Sequence, residues 1–197
     1  MTRVFVYSAA LVALAAATAM TLVSILTPHW VSYSVTAPTG STFYQHIGLH
    51  KSCDSIAGAC RPYPAARDCA GGERGFCSMW RTTGFLMSFA TVAELATLVG
   101  FAVIMGGGKY RRETGWRILG AMLLLVAAIE LSAMSIVTYL IDNDDKFLVP
   151  GYHLDTSWIL CTISAGVSVL CAVGLAASVL LLPPEDGYEF LDDPISA

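Results

Sequence analysis

Two carboxylic acids, Glu94 and Glu130, lie deep inside long apolar segments of this 197-residue chain. Ionisable side chains are costly inside a lipid bilayer and commonly mark proton relays, ion paths or ligand sites. Two carboxylates close together in a medium of low dielectric constant would not both ionise, so the pair would titrate as one unit. The favoured interpretation is a neutral carboxyl group that hydrogen-bonds a serine or a backbone carbonyl and fixes helix register. The functional alternative is a proton- or cation-sensitive site.

The positions of the two acids predict that they meet. Each lies about eleven residues, or roughly 16 Å at 1.5 Å per helical residue, from the same end of its apolar segment. A short turn at residues 109–115 joins the two segments and makes them antiparallel neighbours. Ser168 in the last apolar segment lies at a similar depth. We therefore expect the carboxyl groups to approach each other near the middle of the membrane.

Four cysteines share one long polar loop, residues 27–80: Cys53, Cys60, Cys69 and Cys77. Thiolates at such positions could bind zinc, but the spacing lacks a CxxC pair. A hydrophilic loop with four cysteines favours disulfides in an oxidising compartment. Four cysteines allow three pairings. The two local pairs, Cys53 with Cys60 and Cys69 with Cys77, close short loops and are the favoured prediction.

Other chemistry is not indicated. The apolar segments contain no histidine, which excludes a haem held by two membrane histidines. His46 and His50 are four residues apart in a loop, where strand or loop backbone does not bring them together, so no metal site is predicted. Cys161 and Cys171 are interpreted as packing residues. No Ser/His/Asp arrangement has usable spacing, and the chain is predicted to be a non-enzyme without a cofactor.

The composition predicts the elements that position these residues. The chain is 55% hydrophobic and only 13% charged, whereas soluble domains carry about 25% charged residues. A membrane-spanning helix needs about 20 apolar residues. Four segments qualify, and they make one transmembrane domain (1–182), two outer loops and an acidic tail. The segments are 4–26, 83–105, 116–141 and 158–182, the outer loops 27–80 and 142–156, and the tail 183–197.

The first apolar segment is predicted to stay in the protein, because it is longer than the core of a cleaved signal peptide. Trp30, Trp80, Trp116 and Trp158 all fall near predicted helix ends. Tryptophan is enriched at membrane–water interfaces, so these four predict an aromatic belt in which Trp30 anchors the first helix.

Charge predicts the orientation. A compact basic segment at residues 109–117 contrasts with dispersed basic residues in the long first loop. Long loops count less in the positive-inside rule, so both termini are predicted to be cytoplasmic. The tail contains no Lys or Arg and argues weakly against this. The expected location is the plasma membrane, with an internal membrane as the alternative. No basic stripe is present, so nucleic acid is not an expected partner.

The first loop also contains strand signals. Residues 30–35 alternate in polarity, and residues 41–49 offer a partner strand, which predicts a small antiparallel sheet above the helices. Residues 147–149 of the second loop could add a strand. An adhesion surface needs exposed apolar residues on such loops. The candidates are Phe43, Tyr44, Phe147 and Leu148.

The first loop resembles the signature of the claudin and peripheral myelin protein superfamily, in which Trp is followed by Gly-Leu-Trp, Cys and Cys. The matching residues are Trp30, Gly48, Leu49, Cys53 and Cys60, with Arg81 at the start of the second apolar segment. The resemblance covers the layout of nearly the whole chain but only this loop in motif. It implies an all-α four-helix membrane bundle with a small antiparallel β-sheet formed by the outer loops.

The chain departs from the family pattern at several points. His50 stands where the family has its second Trp, and fewer residues than usual separate Cys53 from Cys60. If the family disulfide is kept, Cys69 is the alternative partner of Cys53. The ending Ile195-Ser196-Ala197 lacks the Tyr-Val with which many claudins bind PDZ domains. The chain resembles a divergent member, from outside the classical tight-junction claudins.

Three functions follow as expectations. The first is a claudin-like structural, adhesion or membrane-organising protein, which acts through its disulfide-linked first loop on itself or on another membrane protein. The second is an auxiliary subunit of a channel, receptor or transporter. The third is a membrane enzyme or proton-coupled carrier that uses Glu94 and Glu130. The third is disfavoured because carriers commonly contain internal repeats, and none is evident here.

Overall fold

The chain forms four long helices. A computed structural model describes residues 3–36, 38, 40, 42–56, 58–69 and 74–181. Each helix is long and apolar enough to cross a membrane, and this confirms the predicted four-helix membrane architecture. The helices are α1 (Arg3–Leu26), α2 (Arg74–Gly106), α3 (Gly108–Asn143) and α4 (Thr156–Leu181). The predicted tail, residues 183–197, lies outside the described residues.

The helices bury many hydroxyl residues inside the bundle, beside apolar side chains such as Leu14 and Phe101, and expose other large apolar side chains on the outside. Phe85, Leu170 and Leu180 are 69%, 70% and 83% exposed. Lipid solvates such side chains, so apolar burial cannot drive helix association there, and small or hydroxyl residues form the interfaces instead. The buried hydroxyl residues include Thr18, Thr21, Ser24, Thr83, Thr97, Ser157, Ser164, Ser168 and Ser178.

Two helices begin earlier than predicted. Helix α2 starts at Arg74 instead of residue 83, and α3 starts at Gly108 instead of residue 116. The predicted turn at 109–115 is therefore wrong, since helical backbone replaces it and Gly107 alone separates the two helices. Hydropathy marks the part of a helix that lies in lipid. Helical backbone satisfies its own hydrogen bonds and continues beyond that limit where no proline or cap stops it.

The two loops build one antiparallel sheet, called here the loop sheet. Strand order is β4-β3-β2-β1-β5, with Val31 opposite Ile47 and Thr36 opposite Thr42 in the β1–β2 pair. This pair confirms the sheet predicted from residues 30–35 and 41–49. The strands are β1 (Val31–Thr36), β2 (Thr42–Ile47), β3 (Lys51–Asp54), β4 (Cys60–Pro62) and β5 (Tyr152–Leu154).

The strand predicted at residues 147–149 is wrong. Residues Asp145–Phe147 form a short 3₁₀ turn, because the Asp144 side chain accepts a hydrogen bond from the Lys146 backbone N–H at 3.1 Å. The chain then reverses at Gly151, whose φ of +123° favours glycine. The strand forms after this turn, at β5, where it pairs with β1.

Both predicted local disulfides are present. Cys53–Cys60 joins β3 to β4, and Cys69–Cys77 joins the short 3₁₀ helix Ala66–Cys69 to the first turns of α2. Cys69 is therefore not the partner of Cys53. All four loop sulfurs are used in covalent bonds, which removes the zinc alternative for these cysteines. The second disulfide also holds the early turns of α2 against the loop.

The predicted position at the membrane interface is wrong for two of the four tryptophans. Trp30 and Trp80 are fully buried in an aromatic core at the sheet end of the bundle, together with Phe76 and Phe147. Trp30 donates its indole N–H to the Ser24 carbonyl oxygen at 2.8 Å. The sheet covers the ends of the helices, so side chains that hydropathy places at the interface become the core that joins sheet and bundle. A second apolar core, around Tyr7, lies farther along the helices.

Gly48 lies where the sheet meets α1, and we predict that Gly48→Ala destabilises the protein. An added Cβ would lie 2.6 Å from the Pro28 Cα and 3.0 Å from the Thr27 carbonyl oxygen, both backbone atoms. Relief of this clash requires the β2–β3 turn to move away from the bundle, at a cost of about 1–3 kcal/mol. Thermal unfolding of the purified protein in detergent measures the loss.

Gly166→Ala is the matched control, because a Cβ there meets nothing within 4 Å. Alanine in a helix interior is favoured over glycine by roughly 0.5–1 kcal/mol, so this variant should be neutral or stabilised. Equal melting temperatures for the two variants would contradict the proposed clash.

Candidate functional site

The carboxyl cluster, defined as Thr21, Glu94, Glu130 and Ser164, takes one fully buried polar residue from each helix. The Thr21 hydroxyl oxygen lies 3.0 Å from Glu94 Oε1, 2.9 Å from Glu130 Oε1 and 2.8 Å from the Ser164 hydroxyl. Ser164 in turn lies 3.2 Å from Glu94 Oε1. The structure therefore brings the two acids together through a threonine on α1 that the sequence did not single out.

Ser168, expected at the depth of the acids, is not their partner. Ser164, one turn earlier on α4, holds that position. The Ser168 hydroxyl is buried and has no hydrogen-bond partner among the described residues. Depth counted from sequence is accurate to about one helical turn, and the side chain that faces the bundle axis at that depth is decided by packing.

The number of protons in the cluster limits how many of its oxygen atoms can be joined by hydrogen bonds. The two hydroxyl groups supply two protons, while Glu94 Oε1, Glu130 Oε1 and the Ala17 carbonyl oxygen all lie within 3.3 Å of them. Two carboxylate charges about 6 Å apart would repel by about 3 kcal/mol even at an effective dielectric constant of 20. A carboxyl proton both removes this repulsion and adds a donor. The geometry favours a proton shared within the cluster.

The second oxygen of each carboxyl group remains without a partner. Glu94 Oε2 and Glu130 Oε2 are buried and make no hydrogen bond to any described residue. A buried acceptor without a partner is costly. These atoms could accept a bond from a water molecule, and a carboxyl proton placed on one of them would reduce its cost. The hydrogen bonds of the cluster can therefore hold the four helices together.

The expected outer contact residues divide into exposed and buried positions. Tyr44 is 48% exposed and Leu148 is 68% exposed, and Ile56 and Val149 are also exposed. Phe147 is 6% exposed and packs against Phe76, Trp80 and Tyr152, so it belongs to the core and cannot be a contact residue. Phe43 is partly buried, edge-on to Tyr33 at 6.0 Å between ring centres. The 3₁₀ turn that replaces the predicted strand explains why Phe147 faces inward.

A charged network braces the first loop, and one lysine joins the second loop to it. Arg61 donates to both oxygens of Asp68 at 3.1 and 2.8 Å, and the Ala65 backbone N–H donates to the same carboxylate at 2.8 Å. Lys146 of the second loop donates to the Asp68 carbonyl oxygen. Burial alone would raise the pKa of Asp68, but the hydrogen bonds from Arg61 and Ala65 hold it below its usual range.

A second polar cluster lies where the loop sheet meets α4. This His–Asp cluster is defined as His29, His46 and Asp155, with Ser32 between them. Asp155 Oδ2 lies 3.2 Å from His29 Nδ1 and 3.8 Å from His46 Nδ1. The Ser32 hydroxyl lies 2.7 Å from His46 Nδ1 and donates a short hydrogen bond to Asp155. These residues come from the α1–β1 linker, β1, β2 and the start of α4.

The charges of this cluster are set by its neighbours. Burial would raise the pKa of Asp155, but hydrogen bonds from Ser32, from the Thr156 N–H and hydroxyl and from His29 lower it to about 2. Burial and the adjacent His29 lower the pKa of His46, with a smaller contribution from His153, against the opposing effect of Asp155. The cluster therefore combines a stable carboxylate with an imidazole that tends to stay neutral.

Sequence reasoning missed this cluster. It compared His46 with His50, and His50 lies elsewhere, beside Gly84 of α2. The true partners are set by strand register, since Ser32 pairs with His46 on one side and with His153 on the other. Asp155 directly follows β5, so a correct position for β5 would have indicated the grouping.

Comparison of the chain with protein-family models and with curated proteins found no match. The architecture itself fits a claudin-like tetraspan, with four membrane-length helices, a small antiparallel sheet and disulfides in the loop. The likeness stands on the fold and on the loop motif.

Removal of the Thr21 hydroxyl should weaken the bundle. Thr21→Val keeps the shape of the side chain but leaves Glu94, Glu130 and Ser164 without their common partner. A buried polar group that loses its partner costs about 1–3 kcal/mol. Equilibrium unfolding in mixed detergent micelles should show a loss of this size.

Thr97→Val is the matched control, because Thr97 is buried to a similar degree and, among the described residues, its hydroxyl bonds the Ala93 carbonyl oxygen of its own helix and no other helix. We expect its loss to be clearly smaller. If both variants lose the same stability, the cluster does not join the helices energetically.

Acid should loosen the loops through Asp68. A carboxyl group whose pKa is lowered in the folded state stabilises the fold fully above its ordinary pKa of about 4, and this stabilisation is lost as the pH falls through the lower folded value. Arg61→Gln removes the main donor and should flatten the fall in melting temperature between about pH 5 and pH 2. The exposed Lys51→Gln variant should keep the wild-type pH dependence. A wild-type slope in Arg61→Gln would refute the role of this pair.

Proposed function

We propose that this protein is a claudin-type membrane-organising or adhesion protein whose loop sheet contacts a second copy of the same chain. The observation that carries the proposal is a braced loop sheet with exposed apolar side chains on β2 and on the turns beside the strands. Tyr44, Ile56, Leu148 and Val149 are 48%, 83%, 68% and 51% exposed. Exposed aromatic and large apolar residues on a preorganised surface are typical of protein contacts.

The stiffness of the loop sheet supports this function. Two disulfides and the Arg61–Asp68 pair brace the first loop, and the Lys146 bond to the Asp68 carbonyl oxygen joins the second loop to it. Binding to a preorganised surface loses less conformational entropy, so a modest contact area yields more affinity. A sheet that is cross-linked by a disulfide keeps its shape when a neighbouring molecule binds to it.

The edges of the sheet favour contact through side chains. Both edge strands, β4 and β5, contain only three residues, and β4 ends at Pro62. Short edge strands and proline discourage the addition of a strand from another molecule. The exposed side chains of the loops are therefore the expected contact points.

Charge supports a second copy as the partner. The first loop exposes Lys51 and Arg67, while the end of α3 exposes Asp142 and the second loop exposes Asp145. Opposite charges on two loops of the same chain allow the first loop of one molecule to meet the second loop of its neighbour. Such a head-to-tail contact repeats and can extend into rows or rings in the membrane plane.

The proposal includes an orientation and a mode of action. Disulfides form in oxidising compartments, so we place the loop sheet outside the cell or in the lumen, and both termini in the cytoplasm. The plasma membrane is the proposed location. The protein acts by contact and not by catalysis. Glu94 and Glu130 then serve as the helix lock, and the carrier hypothesis is not needed to explain them. The alternative is an auxiliary subunit that docks on a channel, receptor or transporter.

Energy transfer between labelled copies of the full chain in lipid vesicles tests the proposal. Leu148→Glu and Tyr44→Glu each place a charge at an exposed apolar position, and we expect roughly tenfold weaker self-association, or about 1.4 kcal/mol. Ala66→Glu adds the same charge at an exposed loop position outside the apolar set and should change little.

A charge exchange tests the direction of contact. Lys51→Glu and Asp145→Lys should each weaken association, and the double variant should recover it, since the pair is reversed but kept complementary. Self-association that ignores all of these changes would refute the proposed surface. Stoichiometric capture of a channel or transporter from native membranes, without self-contact, would favour the auxiliary-subunit alternative.

A further inference from the structure

We propose that His29, His46 and Asp155 bind a transition-metal dication, with Zn²⁺ as the best match, at the junction of the loop sheet and the helix bundle. The two imidazole nitrogens and one carboxylate oxygen all lie within 4.8 Å of one another. The site does not depend on the proposed self-association, and it concerns residues that the contact surface does not use.

The distances suit tetrahedral coordination. Ligands about 2.0–2.1 Å from a zinc ion in tetrahedral geometry lie about 3.4 Å from each other. Asp155 Oδ2 is 3.2 Å from His29 Nδ1 and 3.8 Å from His46 Nδ1. A shift of a few tenths of an ångström brings each carboxylate–imidazole pair to this spacing. The two imidazole nitrogens lie within 4.8 Å of each other and must approach by up to about 1.4 Å. Histidine side chains can make such shifts by small rotations about their own bonds.

The carboxylate is already oriented for a metal. Asp155 Oδ1 accepts hydrogen bonds from the Thr156 N–H at 2.6 Å and from the Thr156 hydroxyl at 2.8 Å. These bonds turn Oδ2 toward the histidines. Backbone bonds hold the surrounding chain, with the Asp155 N–H to the Trp30 carbonyl oxygen at 3.1 Å and the Ser157 N–H to the His29 carbonyl oxygen at 2.9 Å. Groups that orient ligands in this way raise metal affinity.

Without a metal, Ser32 connects two of the three ligands by hydrogen bonds. Its hydroxyl lies between His46 Nδ1 and Asp155 Oδ2. A bound ion would take the Nδ1 lone pair, and the hydroxyl would keep its bond to the carboxylate. Ser32 then becomes a support for the carboxylate ligand, in the manner common at zinc sites.

The two nitrogen ligands favour a transition-metal ion over Ca²⁺ or Mg²⁺. Imidazole nitrogen suits Zn²⁺, Cu²⁺ and Ni²⁺, whereas Ca²⁺ and Mg²⁺ require oxygen ligands. Three protein ligands leave the fourth position to water. The side chains of His29, His46 and Asp155 are 40%, 28% and 22% exposed, so an ion can enter from solution. These features indicate a reversible site and not a closed structural one.

The three ligands belong to separate parts of the fold, so a bound ion would connect these parts. His29 follows α1, His46 lies in β2, and Asp155 precedes α4. A bound ion therefore ties the loop sheet to two helix ends and should resist tilting of the sheet. Because the ion binds the folded state, saturation at about 100 times the dissociation constant stabilises the protein by about 2.7 kcal/mol.

The test uses the purified full-length protein in detergent after chelation. Titration with Zn²⁺ should show one ion per chain and a raised melting temperature, and Ca²⁺ and Mg²⁺ should produce no shift. Co²⁺ should give the strong visible absorption of a tetrahedral site, and Zn²⁺ should abolish it. Wild-type protein without a saturable Co²⁺ spectrum or Zn²⁺ shift would overturn the proposal, and this result needs no variant.

Variants locate the site. His46→Gln and Asp155→Asn should each weaken Zn²⁺ binding at least tenfold. His50→Gln is the matched control, since His50 lies in the same loop but beside Gly84, and it should bind as wild type does. Circular dichroism checks folding without metal. If His50→Gln weakens binding as much as His46→Gln, or if neither ligand variant changes it, the assignment to this cluster is wrong.

Discussion

The shared hydrogen bonds around Thr21 are the constraint on which the rest of the structure depends. In lipid, apolar side chains are as well solvated outside the bundle as inside it, so helix register must come from small contacts and polar bonds. Thr21, Glu94, Glu130 and Ser164 supply one polar group from each helix at one level of the bundle. A slide of any helix by one residue would leave a buried carboxyl or hydroxyl group without its partner.

Helix register in turn sets the position of the loop sheet. Strand β1 begins five residues after α1 ends, and α4 begins two residues after β5 ends, so neither connection has slack. Backbone hydrogen bonds from Asp155 and Ser157 to the α1–β1 linker close this junction, and the buried Trp30 indole adds a bond to Ser24. The sheet is therefore an extension of helices α1 and α4, and the Cys53–Cys60 disulfide stiffens the two strands that lie farthest from them.

Sequence patterns predicted what depends on local composition. Hydropathy located the four spans, polarity alternation located β1 and β2, and short separation predicted both disulfides. Local backbone hydrogen bonding explains the failed turn at 109–115 and the failed strand at 147–149, while the other failures concern residues whose neighbours are distant in sequence. Trp30 and Trp80 are buried because the sheet covers the helix ends. Ser164, rather than Ser168, meets the acids because helix rotation is set by packing, and Asp155 reaches His46 only through the register of β5.

The two polar clusters have opposite roles because their surroundings differ. The carboxyl cluster is fully buried, and any change in its bonding must disturb four helices at once. The His–Asp cluster is partly exposed and joins sheet to bundle through side chains that solution can reach. The disulfides of the loop are covalent, and the aromatic core beneath it is buried. Among these contacts, the His–Asp cluster is therefore the one at which an ion from solution can change how firmly the sheet is held to the helices. The membrane-spanning bundle stays unchanged.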